Sequence, residues 1–212
     1  MDQGAVLERE PSPIEGDKRR QILDGARTVF LSAGFDGASM GEIARAAGVS
    51  KGTLYVYFDS KEDLFEALII QEKRGLAEAL FTLDAEDLDV PAVLTQLGTR
   101  FLTEMGRPEH VAVVRMVIGA CEKFPRFGQA FYEAGPASGV ARLSAYLDAQ
   151  VQGGRLRIAD IELAARHFLH LCQAGQMTRL LFAAGDGASD AEIRYLVGNA
   201  VRVFLAGYGP ES

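Results

Sequence analysis

The stretch SMGEIARAAGVSKGTLYVYF, residues Ser39–Phe58, reads as two short helices joined by a tight turn. Ser39 followed three residues later by Glu42 has the spacing of a capping box, in which each side chain satisfies a backbone donor that the helix start leaves open. Gly48 supplies the left-handed residue that ends the first helix. Ser50 caps the second, and Lys51–Phe58 fills it. Helix, glycine-centred turn and second helix make the helix-turn-helix pattern, whose second helix enters the DNA major groove.

The faces of that second helix follow from about 100° of rotation per residue. Leu54 and Phe58 share one side, directed at the core with Phe30, Ile43 and Ala44. Gly52, Thr53 and Val56 share the opposite side. Gly52 lets the backbone approach base edges, Thr53 brings a hydroxyl and a methyl, and Val56 suits a thymine methyl. Tyr55 and Tyr57 flank this strip within reach of phosphates. Lys51, at the helix start, adds its charge to the helix N-terminus. Lys61 is expected to hold phosphate from the other side. Ser39, Ser50 and Arg45 are weaker candidates, since both serines already serve as caps and Arg45 also reads as a solvent-facing residue.

Working outward, helical periodicity dominates and no strand-like alternation runs for any length. Residues 1–16, with Pro11, Pro13 and Gly16, read as a disordered tail. A first helix runs from about residue 17 to Ala33, closed by Gly34. A fourth begins at Ser60 with Asp63 and extends to about Phe81. Further helices are expected over 91–105 and 108–123. A stretch beginning at Pro125 continues to about Gln152, with a kink or break at Gly135-Pro136. A long helix over 160–184 follows, then a last one from Ser189, capped by Glu192, to about Ala206. The reading is all-α, about nine helices and no sheet. The expected domains are a DNA-binding unit over 17–63 and a larger regulatory and dimerisation body over 64–208.

Net charge is −7, which at first argues against a nucleic-acid partner. Its distribution reverses the argument: residues 18–58 carry six Lys/Arg against three acids, the only net-positive region, and it contains the suspected reading motif. No apolar run approaches the roughly 18 residues that span a membrane. The acidic N-terminus lacks the features of a secretory signal. Two cysteines, Cys121 and Cys172, give no disulfide framework, so a cytoplasmic protein is expected. No nucleophile elbow, phosphate-binding loop or metal-ligand spacing appears, and a nucleophile built on Cys121 has no local support. His167 and His170 lie three residues apart without an acidic or Cys cluster, so neither metal nor other cofactor is expected.

The run from Ile22 through Phe65, with AGFDGASM and then IARAAGVSKGTLYVYFDSKEDLF, resembles the TetR family of transcriptional regulators. Val56 occupies a variable position where many members carry Tyr or Trp, which implies a different sequence preference, and Tyr57 stands where His is also common. The resemblance implies a homodimer on a palindromic double-stranded DNA operator, usually a repressor released by a small ligand. The body, including RMVIGACEKFPRFGQAFYEAGP and AARHFLHLCQAG, is more loosely similar to AefR-like or AcrR-type C-terminal domains.

Within that body, a ligand cavity is expected among the fourth to seventh helices, with the eighth as a further wall. Phe101, Met105, Val113, Met116 and Val117 are candidate lining residues, with Phe127, Phe131 and Tyr132 after them. Arg115, Glu122, His110, His167 or Gln173 would be polar anchors, although Arg115 and Glu122 are as well read as a salt bridge. The last two long helices carry wide apolar stripes that suit a four-helix dimer interface or an internal core. Those stripes are Phe168, Leu171, Cys172 and Gly175, then Ile193, Leu196, Val197, Ala200, Val201 and Phe204. A regulator controlled by a protein partner instead of a small molecule is the alternative reading.

Overall fold

The computed structural model describes residues 13–210, and among these there is no strand. Eleven α-helical segments follow one another: α1 Pro13–Gly37, α2 Met40–Ala46, α3 Lys51–Tyr57, α4 Lys61–Leu80, α5 Val90–Met105, α6 Pro108–Cys121, α7 Pro125–Tyr132, α8 Ser138–Gln152, α9 Ile161–Gln173, α10 Gln176–Leu181 and α11 Asp190–Tyr208. The chain divides into two compact units, one ending at Leu68 and one beginning at Ile69.

In the first unit, α1 packs on α2 and α2 on α3. Ile22, Leu23, Ala26, Phe30, Ile43, Ala44 and Leu54 are buried between them. Phe30, Phe35 and Phe65 form a ring cluster with centroids 4.8–6.1 Å apart. α2 opens on the expected capping box at Ser39 and Glu42. It closes in a Schellman motif, with Gly48 N–H donating to the Arg45 carbonyl and Val49 N–H to the Ala44 carbonyl. Gly48 has φ +64°, the conformation that favours glycine.

The expected tail over 1–16 lies outside the described residues as far as residue 12; from Pro13 the chain is already helical. Pro13 stands at the first helical position, where its missing N–H is no loss. Gly34 breaks α1 as expected, at φ 72°, and a short helical piece continues to Gly37.

The second unit is built on α5, α8, α9 and α11, with α6, α7 and α10 beside them. Its core includes Leu94, Leu97, Leu143, Leu147, Phe168, Cys172, Val197 and Phe204. A Cβ at Gly98 would lie 2.9 Å from Val197 Cγ1 and 3.0 Å from Cys172 Sγ, so this glycine sets how closely α5 approaches α9 and α11. The 84–89 connection is tied down by Gln150 Nε2 donating to the Ala85 carbonyl at 3.0 Å and Tyr146 donating to the Asp87 carbonyl at 3.3 Å.

Two expectations about this unit change. The kink or break foreseen at Gly135-Pro136 takes the form of a π turn, Glu133–Ala137, that joins α7 to α8 in one continuous rod. Proline removes one helical donor, and widening the turn accommodates its ring without ending the helix. The single helix foreseen over 160–184 is two, because Ala174 (φ 41°) and Gly175 (φ 84°) turn left-handed between α9 and α10. The helical bodies therefore number ten among the described residues, against about nine expected.

One contact in the first unit yields a prediction. A Cβ built on Gly25 would stand 2.5 Å from the Ala47 backbone nitrogen, a clash with backbone and not with a movable side chain. Gly25→Ala is expected to lower stability by about 1–3 kcal/mol, read as a lowered midpoint in urea unfolding. Gly75→Ala, with nothing within 4 Å of its Cβ, is expected to leave the midpoint unchanged or raise it.

Candidate nucleic-acid interface and effector cavity

The outward face of α3 is set from below by Leu54, fully buried, and by Phe58 at the C-cap. Opposite them Val56 is 81% exposed and Tyr55 about half exposed, with Lys51 and Gly52 also open to solvent. Thr53 and Tyr57 are partly exposed. The Ser50 hydroxyl accepts from Thr53 N–H at 2.9 Å and lies 2.8 Å from the Thr53 hydroxyl, so the helix start is locked before any ligand arrives. Ser39 and Arg45 are exposed on α2. Ser39 Oγ donates to Glu42 at 2.7 Å, which holds the Glu42 carboxyl below its ordinary range.

Lys51 does not simply reach into solvent. A Cβ on Gly41 would lie 2.9 Å from Lys51 Cε and 3.2 Å from its Nζ, so the lysine side chain lies across the first turn of α2. Gly41 was absent from the sequence reading; nothing in the local pattern distinguishes it from any helix glycine. Lys61 is a correction. Its ammonium donates to the Phe35 carbonyl at 2.7 Å and the Ala38 carbonyl at 3.0 Å, and it sits 4.6 Å from the Phe35 ring centroid. It caps the end of α1 and is not free for phosphate.

The second unit contains a cavity of about 250 Å³. α4 contributes Lys73, Leu76, Ala77 and Leu80; α5 contributes Phe101 and Met105; α6 contributes His110 and Val114. Phe131, the π turn at Gly135 and Pro136, then Gly139 and Val140 form another wall, and Arg166, Leu169, His170, Gln173 and Met177 complete it. Of the foreseen lining, Phe101, Met105, His110, Phe131 and Gln173 are there.

The remaining candidates lie elsewhere. Val113, Val117 and Phe127 are buried packing residues, Met116 is half-buried away from the lining, and Tyr132 points to solvent. Arg115 donates to the carbonyls of Leu180 and Leu181 and so caps α10, which also removes the foreseen pairing with Glu122. His167 is 2.7 Å from the Tyr208 hydroxyl and stacks on its ring.

Lys73, the cavity's buried cation, was missed. The signal was present: on α4, positions 69, 73, 76, 77 and 80 share one face, and lysine interrupts an otherwise apolar stripe. Lys73 is 4% exposed. Its Nζ lies 3.3 Å from His110 Nδ1 and 4.6 Å from the Phe131 ring centroid. Burial lowers the lysine pKa to about 8, only partly opposed by Glu72 beside it in the chain. Burial, and then the lysine charge, lower the His110 pKa to about 3, so the imidazole is neutral and its Nδ1 accepts from the ammonium.

The foreseen dimer stripe is also largely a correction. Phe168, Cys172, Ile193, Val197, Ala200, Val201 and Phe204 are buried within the protomer. Leu171 and Leu196 are partly exposed, and Gly175 is exposed. The other faces of α9 and α11 carry Leu163, Tyr195 and Val203 into solvent. Burial raises the Cys172 thiol pKa to about 12, which leaves no thiolate for chemistry.

A helix-turn-helix with an outward reading face, followed by a helical body holding an apolar cavity, defines a DNA-binding regulator. A family model described as bacterial regulatory proteins of the tetR family matches residues 22–68. A second, described as the AefR-like transcriptional repressor C-terminal domain, matches residues 92–210. The chain is 30% identical over 191 residues to the HTH-type transcriptional repressor Rv1474c of Mycobacterium tuberculosis, covering 87% of this chain and 93% of that protein. Its fold is similar to a putative TetR-family regulator from Mesorhizobium loti, with TM-score 0.86, 30% identity, and coverage of 92% of this chain and 98% of that one. The Flavonoid-responsive Regulator FrrA is similar at TM-score 0.78 and 31% identity, over 93% of this chain and 100% of that one. The chain belongs to the TetR family: it is a transcriptional regulator, not an enzyme. Among the described residues, no helix is long and apolar enough to cross a membrane.

The cavity's electrostatics predict a pH-dependent stability. The unfolded lysine titrates near 10.5 and the folded one near 8. Burying the charged form therefore costs about 3 kcal/mol below pH 8, and the penalty fades as pH rises toward 10.5. Lys73→Met is expected to stabilise the protein by about 2 kcal/mol at pH 7, once loss of the hydrogen bond to His110 is offset. The gain should shrink by pH 10, measured by urea unfolding at both values. His110 adds the opposite flank: as pH falls below 6.5 the unfolded imidazole takes up a proton that the folded one refuses, so stability declines toward pH 3.

Proposed function

We propose that this protein is a repressor that binds a near-palindromic operator as a homodimer and is released by a small apolar effector held in the α4–α9 cavity. The observation that carries the reading is the pairing of an outward α3 face with an apolar, partly closed cavity in the same chain. Gly52, Thr53 and Val56 meet bases; Lys51, Tyr55 and Tyr57 meet phosphates, with Ser39, Ser50 and Arg45 at the margin. Lys61 acts beneath them by fixing the end of α1. The structurally similar FrrA is named as flavonoid-responsive, which supports an effector of this kind over control by a protein partner. Regulatory control is assigned to the body beyond the 17–63 reading head.

The exposed faces of α9 and α11, with Leu163, Tyr195 and Val203, are the surfaces proposed to meet the second protomer. α4 is the element proposed to couple the sites, because it supplies both Lys61 to the reading head and Lys73 to the cavity. The coupling is a free energy shared between sites, so operator must weaken effector binding by the factor that effector weakens operator binding.

Footprinting on DNA beside the protein's own coding sequence is expected to show a protected near-palindrome. Lys51→Ala should weaken binding uniformly across sequences and lower the salt slope by about one. Val56→Ala should instead change base preference within each half-site. Tyr195→Glu with Val203→Glu should give monomers in sedimentation velocity and at least tenfold weaker operator binding. Uniform loss from the Val56 variant, or dimers from the double variant, would overturn the corresponding assignment.

A further inference from the structure

The cavity's charge pattern exceeds what an apolar ligand requires. Lys73 and Arg166 are lining cations, and no aspartate or glutamate lines the cavity. Arg166 is half exposed and already paired with Glu162, one turn earlier on α9. Lys73 is different: it is buried, its ammonium meets His110 Nδ1 and the Phe131 ring, and neither neighbour carries negative charge. A lysine placed only for packing extends its ammonium to water. One buried for structure is paired with a carboxylate, because an uncompensated buried charge is strongly unfavourable. Lys73 fits neither: its ammonium is buried, and the Glu72 charge beside it in the chain opposes the cost of burial only in part.

Its position is built by several elements. A Cβ on Gly135, in the π turn, would lie 3.4 Å from Lys73 Cβ, so that turn runs alongside the lysine stem. Phe131, one turn earlier on the same rod, sits beneath the ammonium. His110 on α6 takes one N–H, leaving two donors on Nζ. The walls are hydrocarbon and aromatic: Leu76, Leu80, Phe81, Phe101 and Leu169. The volume, about 250 Å³, corresponds to about eight waters of liquid, which suits a compact molecule and not a long polymer or a cofactor.

We propose that the effector is an apolar carboxylic acid, bound as its anion with the carboxylate on Lys73 Nζ and the hydrocarbon body against the apolar walls. The proposal rests on the reading of this cavity as the effector site and adds the chemical class. The acid completes the counter-charge that Glu72 supplies only in part, and a neutral molecule of the same shape leaves the ammonium desolvated with no anion on it. His110, neutral and accepting through Nδ1, orients the ammonium without competing for the anion.

The test uses matched probes on the full-length protein at pH 7: 4-butylbenzoate against 4-butylbenzamide, and decanoate against decanamide, with affinities from calorimetry or displacement of an apolar dye. Each acid is expected to bind at least tenfold tighter than its amide. Lys73→Met should remove that margin while keeping amide affinity within about twofold. Lys73→Arg should retain part of the margin, and Arg166→Gln should leave it intact. Equal binding of acids and amides, or a margin that survives Lys73→Met or disappears in Arg166→Gln, overturns the assignment but keeps the cavity as an apolar effector site. Failure of all four probes to bind overturns the cavity reading itself. Operator release by an acid but not by its amide at equal total concentration is expected, and release by both equally counts against the proposal.

Discussion

The approach of α1 to the turn after α2 governs the reading head. Gly25 has no side chain where a Cβ would meet the Ala47 backbone, and Gln21, one turn earlier on α1, donates to the Ala47 carbonyl at 2.6 Å. That carbonyl lies at the end of α2, where helical partners run out. The Schellman closure at Gly48 and Val49 uses the other late acceptors. With the turn fixed on α1, the direction of α3 is fixed too, since Ser50 caps it immediately afterwards. Val56 can then be exposed at no loss to the core, because Leu54 and Phe58 already fill the inward side. Lys61 closes the unit from the far end by bonding the carbonyls where α1 finishes. A side chain whose charge suggests a phosphate contact is instead what keeps the scaffold of the contact surface rigid.

The larger unit obeys a different balance. Most of its apolar stripes are consumed internally: α9 and α11 turn Phe168, Cys172, Val197 and Phe204 against α5, and Gly98 lets the three come close. Against that well-packed background, Lys73 is a deliberate exception. Its burial is expected to lower stability by about 2 kcal/mol at pH 7, comparable to the gain from one buried apolar side chain, beside a cavity that itself removes packing. Local rules are broken in this way where function requires it. The π turn carries the same signature, a helix widened around Pro136 where it runs alongside Lys73.

Much of this was legible from residue order alone. Caps at Ser39, Ser50 and Ser189 and stops at Gly34 and Gly48 are local chemistry, and each stands where its side chain or its φ demands. Helix boundaries failed where two local rules competed. Gly135-Pro136 signals a kink or a break, and a widened turn accommodates the proline without ending the helix. After α9 the signal is Gly175 alone, a glycine that a helix interior also tolerates, while Ala174 beside it turns left-handed without any local cue. Site residues in the body were less legible for a physical reason. Periodicity identifies an apolar face but not what it faces, so Val113, Val117 and Phe127 could not be told from Phe101 and Met105. The same ambiguity sent the buried stripe of α11 to the dimer surface. Lys73 shows the opposite case: a charged residue on an apolar face was readable, but only weighing it against its stripe, position by position, exposes it.

For an acid to act as a switch, its contact with Lys73 must differ in strength between the two states of the regulator, since equal affinity for both shifts neither. An ion pair in a closed apolar cavity has that property. Its attraction rises steeply as water is excluded and falls as water enters. A small displacement of α4 that opens or closes the Lys73 environment therefore changes the pair by more than it changes the surrounding hydrocarbon contacts, which vary gradually with area. Couplings of about 1–3 kcal/mol suffice for five- to 150-fold regulation, and the electrostatic penalty held at Lys73 is of that order. On the proposal made above, the lysine whose burial is unfavourable to the fold is also the group on which a single compensating charge acts, and α4 is the element that would carry its effect toward the reading head.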